Sequence, residues 1–535
     1  MKVTLFMVIL MMIAIINQGI LADKVIDIPN LGKVKGHDSG KTYAFKGIPY
    51  AESPTNTLRF QEPQKKKSWG DSILDASSFG PGCPQNCELP NESCPASTSE
   101  DCLSLNIWMP KDTSNEKLPV LAWVHGGHLE FGSAGVPLYD CETIVEKANV
   151  ICVSFNYRLG FLGFGVYEPV GLSGNLGFRD QQLALQWIQD HIASFGGDPS
   201  SVTLSGESSG AQSVMGHLVA PSSWPLYHRA IVMSDPLTLP MLNVSDQSDN
   251  YGRHFMSNIG CSTKDCLMAS STESIIKAQL VTAKSLNLSH PLYAFLPITI
   301  AVDGDLVPLN GLDAMLSGKI NNVPVMMGST TEEAWVFIFA AIKSSMGSVK
   351  YTGAITYLFH QQLAFTSVLH MYPPAFLADN RPLFSKLGSD YIFHCANRYA
   401  WNALSKFPGR APIYAYELNM TLSWDGWGPR YPFCVGHSCH GVDLPYFFQS
   451  PPLFNITMSP DELRMSDSMI ASMISNFGRT SNPNDGPSSF SPSWPSWDSS
   501  SMKNYQFTSN NFVDSNPRSS YCDMFDQLPD AYHYG

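Results

Sequence analysis

Six short apolar runs, at residues 118–124, 150–155, 202–205, 230–233, 323–327 and 413–418, constrain the fold of this chain more than any other feature. Each is rich in β-formers, bounded by turn residues and not alternating, the pattern of a strand covered on both faces. Between them apolar residues recur at helical spacing, most clearly over 180–195, where Ala184, Trp187, Ile188 and Ile192 share a face. Strands alternating with helices predict an α/β sheet. No fixed-period repeat is present, and the one low-complexity stretch, the Ser/Pro/Asn-rich segment 480–501, reads as a surface loop. A chain of 535 residues with 44% hydrophobic side chains can bury one large core, so a single domain over 23–535 is expected.

The first 22 residues hold Lys2, an apolar stretch over 3–16 and a short step to Ala22, the layout of a secretory signal peptide cleaved ahead of Asp23. That stretch is shorter than the ~20 apolar residues a spanning helix needs, and the polar C-terminus lacks the tail of a lipid-anchor signal. A protein of the secreted or secretory-vesicle lumen class, with no stable membrane anchor, is expected. Lys+Arg total 33 against 46 Asp+Glu, a net charge of −13, and the longest basic run is Lys65-Lys66-Lys67, so nucleic acid is not an expected partner. Twelve cysteines suit an oxidising compartment, the tightly spaced ones being Cys261/Cys266, Cys434/Cys439, and Cys83 to Cys102 with Cys87 and Cys94 between them. Sequons at Asn91, Asn243, Asn287, Asn419 and Asn455 fit glycosylation in the same pathway.

Gly206-Glu-Ser-Ser-Gly210 follows the run 202–205 directly and precedes a helical pattern at 211–218. Strand, tight turn and helix in that order form a nucleophile elbow, which lifts the Ser208 hydroxyl to the strand's end, facing a cleft. A hydroxyl needs a general base, and the base needs a carboxylate to orient it. His440, followed by Gly441, is the candidate base; His437 reads better as a surface histidine in a turn. Glu333, just past the run 323–327, is the candidate acid, and spacing alone leaves its neighbour Glu332 open for the same role. His125-Gly-Gly-His128 follows the run 118–124 and offers backbone N–H groups of Gly127 and His128 to an oxyanion, with the Ser209 N–H as third donor.

These motifs, with Phe45-Lys-Gly-Ile-Pro-Tyr-Ala51, Glu100-Asp-Cys-Leu-Ser-Leu-Asn106, Asn156-Tyr-Arg-Leu-Gly-Phe161, Phe195-Gly-Gly-Asp-Pro199 and Asp303-Gly304, resemble the type-B carboxylesterase and cholinesterase family of α/β-hydrolases over nearly all of 23–535. The insert Cys83 to Cys94 is similar to that of amoebozoan crystal-protein and cholinesterase-like members. The resemblance implies a mixed, mostly parallel sheet flanked by helices and a triad of Ser208, Glu333 and His440, with Glu333 chosen over Glu332. It also implies disulfides Cys83/Cys102, Cys261/Cys266 and Cys395/Cys522, and ion pairs Arg59/Glu100 and Arg158/Asp180. Cys87/Cys94 and Cys434/Cys439 are candidates for extra local bridges; Cys141 and Cys152 are left without an assigned partner.

Three departures bear on substrate. No aromatic residue lies between Cys83 and Cys102, where choline-binding members carry the tryptophan that stacks on the ammonium, so choline selectivity is not expected. Ala294 and Leu296 stand where the family places bulky acyl-pocket aromatics, which implies a roomier pocket. His128 replaces the usual third glycine, with three consequences open: exclusion of bulky acyl groups, a second general base near Ser208, or a broken oxyanion hole. Zinc across Cys434, His437, Cys439 and His440 is disfavoured, because oxidising conditions pair the sulfurs and structural zinc uses a longer loop between its ligands. Glu207 would raise the proton affinity of His440 or close a buried polar network, and the cluster Trp335 to Phe339 reads as core or gorge wall. The expected function is cofactor-free hydrolysis of small or medium carboxylic esters through an acyl-enzyme; the alternative is a weak or inactive esterase-like protein with an adhesion, storage or structural role.

Overall fold

The six runs lie side by side in the computed structural model, which describes residues 23–90, 93–112, 116–285, 296–360 and 364–533. They supply six of seven consecutive parallel strands: β1 (Leu118–Val124), β2 (Ile151–Phe155), β3 (Gly197–Glu207), β4 (Arg229–Met233), β5 (Val325–Thr330), β6 (Ile413–Leu418) and β7 (Lys503–Phe507). Their order across the sheet is β2-β1-β3-β4-β5-β6-β7. Every residue of β1, β2, β4, β5 and β6 is buried, which is why none alternates in the sequence. Pro324 has no N–H to give the ladder, so β5 begins after it and runs on through Gly328 to Thr330, three residues beyond the apolar run.

Mainly antiparallel strands extend the sheet at both ends: Ser104–Pro110 pairs with β2 and Thr42–Pro49 with Ser104–Pro110, while Phe512–Ser515 pairs with β7, and the sheet has 13 strands among the described residues. Helices connect parallel strands and pack against the sheet: α1 (Leu176–His191) starts four residues ahead of the expected segment and ends in a 3-10 turn, Ile192–Phe195. The helix α2 (Ser209–Val219) has no exposed residue.

The segment 480–501 is a largely exposed loop, as expected, but two of its side chains anchor it in the core. Trp494 is fully buried, donates its indole N–H to the Ala415 carbonyl at 3.0 Å and stacks on Tyr505 at 4.9 Å. The Trp497 N–H reaches the Ile413 carbonyl at 2.6 Å, so this segment closes over β6. Two large apolar side chains outweigh the polar composition around them.

All twelve cysteines are paired: Cys83–Cys102, Cys87–Cys94, Cys141–Cys152, Cys261–Cys266, Cys395–Cys522 and Cys434–Cys439. Arg59 Nε donates to Glu100 at 2.8 Å, and Arg158 makes two 2.8 Å bonds to Asp180 in a buried fork. Asn243, Asn419 and Asn455 are exposed; Asn91, Asn287 and the segment 1–22 lie outside the described residues. No helix among the described residues is long and apolar enough to cross a membrane.

Candidate active site

The end of β3 and the segments that follow β1 and β5 line one cavity at the C-terminal edge of the parallel strands, where ligands commonly bind in an open α/β sheet. β3 ends at Glu207 and α2 begins at Ser209, leaving Ser208 to make the whole turn with φ +60° and ψ −126°. Its N–H donates to the Met233 carbonyl at 2.9 Å and its carbonyl accepts from the Gln212 N–H at 2.9 Å, so both neighbours hold the strained residue in place. A Cβ on Gly210 would stand 2.3 Å from the Val124 carbonyl oxygen, which is why α2 can approach β1 only with glycine there.

Beyond β5 the chain turns through two adjacent carboxylates that point to different partners. Glu333 is fully buried: Oε1 accepts from the Ser234 hydroxyl and the Thr330 N–H, each at 2.6 Å, and Oε2 accepts from Nδ1 of His440. Burial raises its carboxyl pKa, but His440 and these donors outweigh that and hold it below the usual range. Glu332 instead faces His437, whose Nδ1 lies 3.0 Å from Oε1, and accepts from the Ser438 N–H at 2.8 Å. His437 also stacks on Trp335 with ring centres 3.7 Å apart, so the histidine expected in a surface turn is there, partly exposed, and docked on its neighbours.

Nε2 of His440 lies 3.1 Å from Oε1 of Glu207 and makes no hydrogen bond to the Ser208 hydroxyl, although Ser208 and His440 open onto the same cavity. Burial works against charge on His440, yet the carboxylates of Glu207 and Glu333 prevail and raise it to about 9. Burial drives Glu207 upward, opposed by His440 and reinforced by the buried Asp443 and by Glu333. Sequence reasoning missed Ser234 and Asp443; the signal for Ser234 is a lone hydroxyl directly after the parallel strand β4.

In the turn after β1, Gly127 has φ +112° and a Cβ there would meet the Phe131 carbonyl at 2.2 Å. His128 adopts φ +58° without being glycine. Its ring packs 5.6 Å from Phe131 and 5.9 Å from Phe337 on the cavity wall, and burial lowers its pKa to about 4, so the imidazole is neutral at pH 7. The Leu129 N–H binds the Ser209 hydroxyl at 3.1 Å, tying this turn to the start of α2. As the first residue of α2, Ser209 has an N–H with no acceptor inside the helix.

The cavity holds about 480 Å³ and is walled mainly by apolar groups, with Phe131, Tyr139, Phe337, Trp427 and Tyr431 among them. Val336 and Phe337 make the cluster 335–339 a cavity wall in part. Leu296 is buried and is not among the described residues of the wall; Ala294 lies outside the described residues. Cys434 and Cys439 bond each other, so their sulfurs are not available to a metal.

The architecture and the position of this cavity define an α/β-hydrolase. The profile of the carboxylesterase family matches residues 22–525. The chain is 35% identical to the cAMP-regulated D2 protein of Dictyostelium discoideum over 87% of its own length and 85% of that protein. It is 34% identical to the Crystal protein of the same organism, over 93% and 90% respectively. A solved thermophilic PNB esterase superposes with a TM-score of 0.79 at 26% identity, covering 94% of this chain and 100% of that one. The chain belongs to the carboxylesterase family and is a carboxylic ester hydrolase.

Proposed function

We propose that the protein is an exported serine esterase that works through an acyl-enzyme. The observation that carries this reading is the chain of contacts from Ser234 through Glu333 to His440, ending at a cavity that Ser208 also lines. Glu333 fixes the ring so that Nε2 is the basic nitrogen, and it stabilises the imidazolium that forms. Nε2 takes the Ser208 proton as the hydroxyl oxygen attacks the ester carbonyl; such contacts commonly tighten only when substrate binds. N–H groups of Gly127, His128 and Ser209 hold the oxyanion, alcohol leaves with the proton from His440, and water activated by His440 then frees the acid from Ser208. No step calls for a metal or an organic cofactor.

The apolar wall favours small or medium acyl esters, and the lack of an aromatic residue between Cys83 and Cys102 argues against choline selectivity. Six disulfides support export through an oxidising compartment, where the segment 1–22 would act as signal peptide and Asn91, Asn243, Asn287, Asn419 and Asn455 as glycan acceptors. p-Nitrophenyl esters of increasing acyl length test the reading: a burst of nitrophenol stoichiometric with enzyme, followed by steady turnover, is expected.

A second reading, a weak or inactive esterase-like protein with an adhesion, storage or structural role, is favoured by the likeness to the Crystal protein and by His128 in the oxyanion turn. Absence of both burst and turnover with every ester would support it.

A further inference from the structure

His440 sits at the end of a short loop that is laced to the turn after β5 at points other than the Glu333 contact. The Trp335 indole N–H donates to the Phe433 carbonyl at 2.8 Å. Glu332 uses its backbone N–H on the Ser438 carbonyl at 3.1 Å and its carboxylate on the Ser438 N–H at 2.8 Å. The same carboxylate holds Nδ1 at the edge of the His437 ring at 3.0 and 3.2 Å, and a face of that imidazole stacks on Trp335. Trp335 is in turn stacked on Phe339 at 4.4 Å, and the Cys434–Cys439 bridge closes the loop one residue before His440. Two histidine–carboxylate pairs therefore run side by side, Glu332 with His437 and Glu333 with His440, carried by the same two segments.

We propose that Glu332 is a positioning residue for ester hydrolysis: by clamping His437 and Ser438 it fixes where the loop delivers the His440 ring relative to Glu333 and Ser208. This rests on the serine-esterase reading above. Among the described residues Glu332 hydrogen-bonds His437 and Ser438, makes no bond to His440 or Ser208 and is not part of the cavity wall, so it acts only through the loop. Without its carboxylate the Ser438 N–H and the His437 ring lose their acceptor while the bridge still closes the loop, leaving the segment folded but free to shift against Glu333. A misplacement on the order of 1 Å at a general base costs about 100-fold in rate.

The expected results in the full chain are specific. Glu332→Ala lowers kcat for a p-nitrophenyl ester by about 10- to 100-fold while KM stays within about twofold, because the cavity is untouched. Its rate of covalent labelling by a fluorophosphonate falls in parallel. Glu332→Gln, which keeps an acceptor oxygen for Ser438, recovers to within about threefold of wild type. In the proton spectrum, the far-downfield resonance of the His440 Nδ1–H broadens or moves in Glu332→Ala and returns in Glu332→Gln.

Wild-type labelling rates and an unmoved resonance in a folded Glu332→Ala protein would overturn the proposal. If Glu332→Ala does not fold, His437→Ala decides: a kcat lowered at constant KM supports the clamp, and an unchanged kcat overturns it. Failure of the wild-type enzyme to label at Ser208 would strike the serine-esterase reading instead, so the two failures are distinguishable.

Discussion

Oε1 of Glu207 stands 3.1 Å from Nε2 of His440, the ring nitrogen that does not face Glu333. The imidazole is thereby held between two carboxylates, and its protonated form is favoured beyond that of a free histidine. Because base catalysis needs the neutral ring, kcat/KM is expected to rise with pH along a limb that lies above the ordinary histidine value of 6.5. Removing the Glu207 charge destabilises the imidazolium, lowers the His440 pKa and moves that limb toward acid. Glu207→Gln should shift it down by about one pH unit, read from pH–rate profiles; a limb that stays in place would show that Glu207 does not govern His440.

Ser234 donates to the Glu333 oxygen that His440 does not use, at 2.6 Å in a buried site. Ser234→Ala removes one donor from a buried carboxylate, whose own pKa then rises and whose hold on the ring weakens. A fall in kcat of about 10-fold with little change in KM is expected from steady-state kinetics on one ester.

His128 puts a ring on the cavity wall at a backbone position that glycine adopts without strain. His128→Gly should raise kcat/KM for α-branched acyl esters by about 10-fold and leave short unbranched esters within about twofold, since it adds space and keeps the N–H. The same variant reports on the chemical role of the ring: slower recovery from an organophosphate adduct than wild type would identify His128 as a second base. No gain on branched esters and no loss of recovery would dismiss both roles.

Trp494 is fully buried against Tyr414, Tyr416, Tyr505 and Phe507 and bonds the β6 backbone. Trp494→Ala should cost about 3–5 kcal/mol of stability by urea unfolding, far more than an exposed loop residue would. A cost below about 1 kcal/mol would mean that the segment 480–501 does not close over β6 in solution.

These cases also show what could be seen before the fold. Ser208 was legible because strand, turn and helix must follow in a fixed order at an elbow, and six of the seven parallel strands because burial on both faces leaves unbroken apolar runs, whereas β7, Lys-Asn-Tyr-Gln-Phe, has none. The antiparallel strands were not: Gly32–Asp38, buried only at every second position and carrying Lys33, Lys35 and His37, has no run to read. Glu332 and Glu333 are adjacent carboxylates at one strand end: spacing left them equivalent and the resemblance chose Glu333, while the pairing of Glu332 with His437 is seen only in the direction its side chain takes in space. Ser234 belongs to no motif, and Trp494 is hidden in a Ser/Pro-rich stretch whose composition argues for the surface.

The central claim is that one hydroxyl among the many serines of this chain is made reactive by an imidazole brought from residue 440. The most direct measurement is the time course of fluorophosphonate labelling, with the modified peptide mapped by mass, for wild type, Ser208→Ala and His440→Ala. Stoichiometric modification of the peptide holding Ser208, abolished in Ser208→Ala and slowed at least about 1000-fold in His440→Ala, is the predicted result. Undiminished labelling in Ser208→Ala, or a wild-type protein that does not label while folded, would contradict it.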